Sequence, residues 1–462
     1  MAGKKKQAQL TPEEKLQQAL VPAAEQPYKV PANWCWTRLG SYIDYATDYV
    51  ANGSFATLKA NVNIYKEKNY ALMVKTQDFA NHFTKSLTYT DKHGYEFLEK
   101  SRLYGGELIL SNIGSIGKVF KVPYFDKPMT LASNSIMIKC YKDFDYDFLF
   151  YFFSSPIGFE LLNSITTGTA VLKFNKTDLK TIALPLPPLL EQQRIVERIE
   201  SLFAKLDEAK ENLQNVLDGF ETRKAAILHK AFTGELTANW RKQHDVSIDS
   251  WGKKKLGEIN EIGTGGTPSR KIAAYYNGNI PWIKTGEILW NYIYDSEEKI
   301  TNNAINNSSA KFYSKGTVLV AMYGQGLTRG RAAILAIEAT TNQAVCALKP
   351  KQVLKSKFLF YYFMENYWKY REKAIGGNQP NYSIKMISKW NINLPTLDEQ
   401  TEIVRIIDDL LAKEQQAKEL AENALAKIDL IKKAILARAF RGELGTNNPA
   451  DEPAVELLKR ML

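Results

Sequence analysis

One internal repeat governs what this chain can fold into. Residues 186–196 read Leu-Pro-Pro-Leu-Leu-Glu-Gln-Gln-Arg-Ile-Val, and residues 394–404 read Leu-Pro-Thr-Leu-Asp-Glu-Gln-Thr-Glu-Ile-Val. Further on, Ala-Phe-Thr-Gly-Glu-Leu at 231–236 is answered by Ala-Phe-Arg-Gly-Glu-Leu at 439–444, at the same offset of 208 and with no insertion between. About half of the paired positions are identical, where unrelated chains of ordinary composition match at roughly one in twenty. The chain is a duplication, and every local reading has to respect it. Fainter matches lie upstream. Asn33-Trp34 and Arg38-Leu39-Gly40 parallel Ser250-Trp251 and Lys255-Leu256-Gly257, Val74-Lys75-Thr76-Gln77-Asp78 parallels Ile283-Lys284-Thr285-Gly286-Glu287, and Phe148-Leu149-Phe150-Tyr151 parallels Phe358-Leu359-Phe360-Tyr361. Each half is a variable globular region followed by a well-matched segment, with loops of unequal length between.

In the first matched segment apolar residues fall at Ile195, Ile199, Leu202, Leu206, Ala209, Leu213, Val216, Phe220 and Ile227. Steps of four and three make a heptad seam. The second copy repeats it at Ile403, Ile407, Leu410, Ala417, Ala421, Ala424, Ile428, Ile431 and Ile435, with Glu414 as a polar intruder. Pro187 and Pro188 mark one start, Thr396 with Glu399 suggests a capping box at the other, and Gly234 and Gly442 follow as stops. About 40 residues at about 1.5 Å each make rods of about 60 Å. So long and narrow a stripe exceeds what one small domain covers. The two helices are therefore expected to pair antiparallel with each other, with a globular head at each end.

The variable regions mix strand-like runs at 107–110, 136–139, 317–320 and 344–348 with Gly, Asn and Ser turns and an aromatic helix-like run before each rod. The expected fold class is mixed α/β: two similar α/β domains joined by two long antiparallel helices forming a coiled coil, with an internal pseudo-two-fold repeat. The expected boundaries are an N-terminal extension at 1–27, a first head at 28–184, the first long helix at 185–232 and a linker at 233–250. A second head at 251–391, the second long helix at 392–442 and a tail at 443–462 complete the chain.

Enzyme signals fail one by one. Gly114-Ser-Ile-Gly117-Lys118 resembles the end of a phosphate-binding loop, but Val119 stands where a Ser or Thr should reach magnesium. Gly324-Gln-Gly326-Leu-Thr-Arg-Gly330 misses the dinucleotide fingerprint by one residue. Asn378-Gln-Pro380-Asn-Tyr382 has one proline fewer than the loop with which adenine methyltransferases grip their base, and no cofactor-binding glycine motif precedes it. His82, His93, His229 and His244 lack partners at metal or triad spacing. Cys35, Cys140 and Cys346 fit no zinc or disulfide pattern, which suits a reducing cytoplasm. No apolar run is long enough to span a bilayer, and the basic start has no apolar core after it. No catalytic residue and no metal or cofactor site is expected in this chain.

What remains suits a polyanion. The formal charge is +11, from 61 Lys and Arg against 50 Asp and Glu. Amide, hydroxyl and cationic groups gather in expected loops: Lys75, Thr76 and Gln77; Ser111, Asn112, Ser115 and Lys118; Thr169, Lys173, Asn175 and Lys176; Lys284 and Thr285; Tyr323, Gln325, Thr328, Arg329 and Arg331; Asn378, Gln379, Asn381 and Tyr382. Asn and Gln can bond adenine bidentately and Arg guanine, while Lys, Ser and Thr mostly hold phosphates. The basic residues near the rod ends, Arg223, Lys224, His229, Lys230, Lys432, Lys433, Arg438 and Arg441, are open to two readings, phosphate contact or compensation of the helix dipole.

Two variable domains, two matched helices that start Leu-Pro-x-Leu-x-Glu-Gln and end Ala-Phe-x-Gly-Glu-Leu, and a Trp-x-x-x-x-Leu-Gly lead into each head together resemble the specificity subunit of type I restriction-modification systems. The resemblance spans essentially the whole chain. It implies that each head is a target-recognition domain reading half of a split DNA site, with the helices setting the gap. It also implies two modification subunits that use S-adenosylmethionine and two motor-nuclease subunits that use ATP and magnesium. The stretches at 74–77 and 283–286, and the later loops at 168–175 and 376–382, match the family's DNA-facing segments, and the first copy departs at Ala170, Val171 and Leu172. Two other classes stay open, a specificity module of another methyltransferase-based defence system and a coiled-coil scaffold without DNA binding.

Overall fold

The computed structural model describes residues 10–462 apart from 115, 142–144, 170 and 374–380. The chain divides into two compact units, Met1–Asn212 with Ala424–Leu462 and Leu213–Asn423. Each unit holds one head, the start of the helix that follows it and the end of the other long helix.

In the first unit the head opens with the strand Cys35–Arg38 and closes with Ala183–Leu186, and the two pair antiparallel, so the chain leaves where it came in. Between them one antiparallel sheet runs Ile43–Asp48, Ser135–Cys140, Leu108–Ser111, Val119–Lys121. A second sheet runs Thr88–Thr90, Ala71–Val74, Met129–Leu131, Arg102–Leu103, and Ala71–Val74 lies parallel to Met129–Leu131. The second unit repeats the plan. Gly252–Lys255 pairs with Asn391–Leu394, a five-stranded sheet carries Val318–Ala321 and Val345–Pro350 at its centre, and Tyr276–Ile283 lies parallel to Ala339–Thr341. These strands include all four runs expected from sequence, and their buried faces are almost wholly apolar.

The long helices are Leu189–Asp218 continued by Phe220–Phe232, and Leu397–Ala439. The first was expected unbroken. Its interruption at Gly219 is slight, because Gly219 still donates to Asn215 O and Arg223 to Gly219 O. A Cβ on Gly219 would stand 2.3 Å from Arg223 Nη1. The glycine leaves room for that guanidinium to donate to Val216 O and, through Nε, to Glu414, both at 2.8 Å. Glu414, the polar intruder in the seam, is thus the partner of a cation on the other helix.

Each rod packs against the other, as expected, and also against a head. In the first unit Ile195 and Ile199 share a core with Leu436, Ala439 and Phe440 and with the head's Phe148, Phe152 and Leu184. Further along, Lys432 pairs with Asp207 at 2.6 Å and lies over the Phe203 ring. Numbers that rise on one helix fall on the other, so the helices run antiparallel. In the second unit Ile403 and Ile407 share a core with Leu228, Ala231 and the buried Phe358–Phe363 run, and Lys418 lies over the Phe220 ring. Leu202, Leu206, Leu213, Phe220, Leu410 and Ile435 are half-buried and Ile428 is buried, as an apolar seam requires. Val216, Ala417 and Ile431 are exposed and do not belong to it. The reason is that pairs such as Lys432 with Phe203 and Arg223 with Glu414 occupy the contact instead.

The matched motifs gain a physical reason here. Phe440, from the second helix's Ala-Phe-Arg-Gly end, meets Phe148 and Phe152 edge-on at 5.3 Å each. Phe232, its counterpart, meets Phe358 at 5.0 Å. Glu191 is fully buried and accepts from Trp34 Nε1 at 2.7 Å, Asn447 Nδ2 at 2.9 Å and Thr446 Oγ1 at 3.3 Å. Glu399, equally buried, accepts from Trp251 Nε1 at 2.8 Å and from Thr237 Oγ1 and Arg241 Nη1 at 2.7 Å each. The expected capping box at Thr396 is therefore only half made. Thr396 Oγ1 accepts from Glu399 N at 3.3 Å, but the Glu399 carboxylate is spent on the head and linker.

Candidate nucleic-acid interface

Each head gathers its expected polar loops along one edge, and the backbone does the gathering. In the first head Ala71–Val74 ends beside the parallel strand Met129–Leu131, where Ala132 N donates to Val74 O at 2.9 Å. The turn that follows carries Asn134, whose carbonyl accepts from Asn112 N at 3.3 Å. Asn112 opens the hairpin loop between Leu108–Ser111 and Val119–Lys121 and exchanges bonds with the later loop. Phe174 N donates to Asn112 O, and Asn112 Nδ2 donates to Phe174 O, both at 3.1 Å. Gly114 N reaches Leu172 O at 3.1 Å. The described residues of 75–77, 112–118 and 167–175, three separate clusters in sequence, thus form one continuous rim.

The second head builds the same rim from other side chains. Asn342 N donates to Ile283 O at 3.0 Å, Met322 N to Ala344 O at 2.9 Å and Tyr382 N to Met322 O at 3.1 Å. These answer the bonds of Ala132 N to Val74 O, Asn112 N to Asn134 O and Phe174 N to Asn112 O in the first head, so that Asn342 stands for Ala132, Ala344 for Asn134 and Tyr382 for Phe174. The same three backbone bonds, made by counterpart residues, show that the rim belongs to the fold rather than to either loop's sequence.

Exposure sorts the candidates. Gln77, Lys118, Thr169, Lys173 and Asn175 are exposed in the first head, and Tyr323, Gln325 and Asn381 in the second. Thr76, Asn112, Thr285, Thr328, Arg329 and Arg331 are half-buried at the rim. Ser111 and Tyr382 correct the sequence reading: each is only 2% exposed. Ser111 ends a central strand, and the Tyr382 ring packs edge-on to Trp390 at 5.2 Å with the Arg329 guanidinium above it at 5.7 Å. Ser115, Asn378 and Gln379 lie outside the described residues.

The lysines shared by the heads do local work. Asp78 and Glu287 each accept from the backbone N–H of the lysine three residues earlier, at 2.8 Å, which forces the sharp turn after the strand. Lys75 Nζ donates to Ser86 O at 2.9 Å with Asp78 3.8 Å away, and Lys284 Nζ lies 3.3 Å from Glu297. Their charge is largely met within the head. Burial pushes the Asp78 carboxyl above the usual range, against the pull of the Lys75 backbone N–H and charge. Lys176 pairs with Asp48 at 2.9 Å, and Asn175 caps the short helix Lys176–Lys180 by accepting from Thr177 N and Asp178 N. Among the rod cations, Arg223 and Lys432 are already ion-paired with the partner helix, and Arg438 Nη2 donates to Glu443 O.

Two features escaped the sequence reading. The turns at 133–134 and 343–344 complete the rim, and no repeated residue marks them in the sequence. Arg371 and Tyr367 support the second head's loop from behind and carry no motif. The three cysteines are free thiols, and burial raises those of Cys35, Cys140 and Cys346 to about 12. Among the described residues no group of three His, Cys, Asp or Glu could hold a metal ion.

The family model for the type I restriction modification DNA specificity domain matches residues 42–218 and again 248–423. The specificity subunit of the type I restriction enzyme EcoBI from Escherichia coli is 24% identical over 367 residues, covering 74% of this chain and 75% of its own. That of EcoKI from Escherichia coli K12 is 25% identical over 317 residues, 66% of this chain and 67% of its own. In fold, the crystal structure of an HsdS subunit from Thermoanaerobacter tengcongensis covers 91% of this chain and all of its own, with a TM-score of 0.63 at 21% identity.

Proposed function

Because this chain belongs to the family of type I restriction-modification DNA specificity subunits, we propose that its two rims each read one half of a split, asymmetric DNA site. The observation that carries this is the rim itself, held by equivalent backbone bonds in both heads and dressed with different side chains. A constant frame with variable lining is what reading two different half-sites by one mechanism requires. In this reading exposed Lys118 and Lys173 meet phosphates and exposed Gln77, Gln325 and Asn381 bond base edges, while Asn112, whose amide is spent on Phe174 O, holds the loop. The antiparallel helices set the gap between the half-sites. Two modification subunits and two motor-nuclease subunits supply the chemistry, with S-adenosylmethionine, ATP and magnesium bound to them. The assembly works on DNA in the cytoplasm, and no helix among the described residues is long and apolar enough to cross a membrane.

Methylated adenines mapped across a host genome with and without this chain test the reading. Loss of a single split motif on deletion is expected. An unchanged map would leave the protein scaffold as the better description, and loss of an unsplit motif would refute one half-site per head.

A further inference from the structure

We infer that Arg371 is a positioning residue that sets how sharply the second head discriminates its half of the DNA site. The inference rests on the reading just proposed and deepens it. The rim loop at 322–331 joins the strands Val318–Ala321 and Ala332–Leu335. Gly324, Gly326 and Gly330 lie in it with φ of +143°, +56° and +88°. Such a backbone has wide conformational freedom, yet Tyr323 and Gln325 can read bases only if it holds one shape.

Arg371 supplies that shape from behind. Its Nη1 donates to Arg329 O at 2.5 Å and its Nη2 to Gly326 O at 2.7 Å, so one planar group fixes two points of the loop. The guanidinium lies over the rings of Tyr367 at 5.1 Å and Trp368 at 5.8 Å, and the Tyr367 hydroxyl donates to Leu327 O between the two points. The helix that carries them, Tyr367–Lys373, is itself anchored. Tyr367 packs edge-on to Trp290, and Tyr370 stacks on Trp390 at 3.7 Å and 4°.

The first head holds its loop by other means. Residues 112–114 are tied by backbone bonds to 172–174. Phe159 packs where a Cβ on Gly117 would lie. Removing Arg371 therefore loosens one head and leaves the other as an internal control.

The test uses the full chain assembled with its modification subunits, as wild type, R371A and R371K. Methylation is compared between the cognate duplex and duplexes with one base changed in either half, and the second head's half is assigned by exchanging residues 28–184. R371A is expected to lower discrimination in that half by about tenfold, the scale of one well-placed base contact, with the other half and the salt dependence unchanged. R371K, which can reach one carbonyl only, should fall between. Undiminished discrimination in R371A overturns the inference. So does uniformly weaker binding with a shallower salt slope, because that marks a direct phosphate contact, and so does equal loss in both halves, which marks general unfolding. A wild-type complex that recognises no split site refutes the proposed function instead and takes this inference with it.

Discussion

Glu399 and Glu191 occupy the same place in the two copies and are stabilised differently. Glu399 forms a buried ion pair with Arg241, whose side chain is 10% exposed, whereas Glu191 is held by the neutral donors of Trp34, Asn447 and Thr446. Removing one member of a buried pair strands the other. Glu399→Ala should therefore cost the second unit about 3–5 kcal/mol in denaturant unfolding, and a cost below about 1 kcal/mol would mean that Arg241 finds water. Asp78 makes a prediction with a definite sign. Its folded pKa is raised by burial, so the fold binds its proton more tightly than the unfolded chain does. Stability from this group is full below the unfolded value, about 3.9, and is lost as pH rises through the folded one. Unfolding of wild type and Asp78→Asn should diverge in favour of the variant as pH rises through that window, and a gap that narrows instead would contradict the assignment. At this scale the sequence showed residue types but not their duties. Lys75, Lys284 and Tyr382 were good candidates by chemistry, and only packing shows that the lysines are answered internally and the tyrosine is in the core.

The end of each long helix closes a core. Phe440 is fully buried between Phe148 and Phe152, while Phe232 is half-buried against Phe358. Phe440→Ala should cost about 3–5 kcal/mol, and Phe232→Ala clearly less. Equal losses in parallel denaturation curves would show that the two copies bury their plugs alike. The segment after the first helix looks from sequence like a connection that could be lengthened to change the gap. Thr237 and Arg241 are instead tied to Glu399, and a Cβ on Gly234 would meet Ile248 and Arg241, so it is part of the second unit's foundation. The long helices, their antiparallel pairing and the main strands were legible because periodicity and stop signals are local, but the helix starts were not, since the expected limits 185 and 392 fall in the strands Ala183–Leu186 and Asn391–Leu394. The division of each seam between head and partner helix was not, since Ile199 and Ile407 look the same in either role.

For the molecule as a whole, the proposed function makes the heads exchangeable by expectation. Exchanging residues 28–184 for another such domain should replace one half of the methylated motif and leave the other half and the gap intact, as a methylome of the exchanged chain would show. Changes in both halves would mean that the heads do not read independently. The +11 charge was a faint pointer to a polyanion. The structure turns part of it inward, into pairs such as Lys432 with Asp207 and Arg241 with Glu399, and leaves exposed cations such as Lys118 and Lys173 on the rim. The sequence by itself determined the two-fold plan, the helices, the α/β heads and the family, because repeats, periodicity and terminal motifs are written in order along the chain. Only the tertiary structure decided which residues share a rim, which carboxylates bind the heads to the helices and which side chains hold a loop from behind. Those relations join positions up to about four hundred residues apart, such as Asn33 with Asn447, and they arise from which strands pair and which helix ends fill which core.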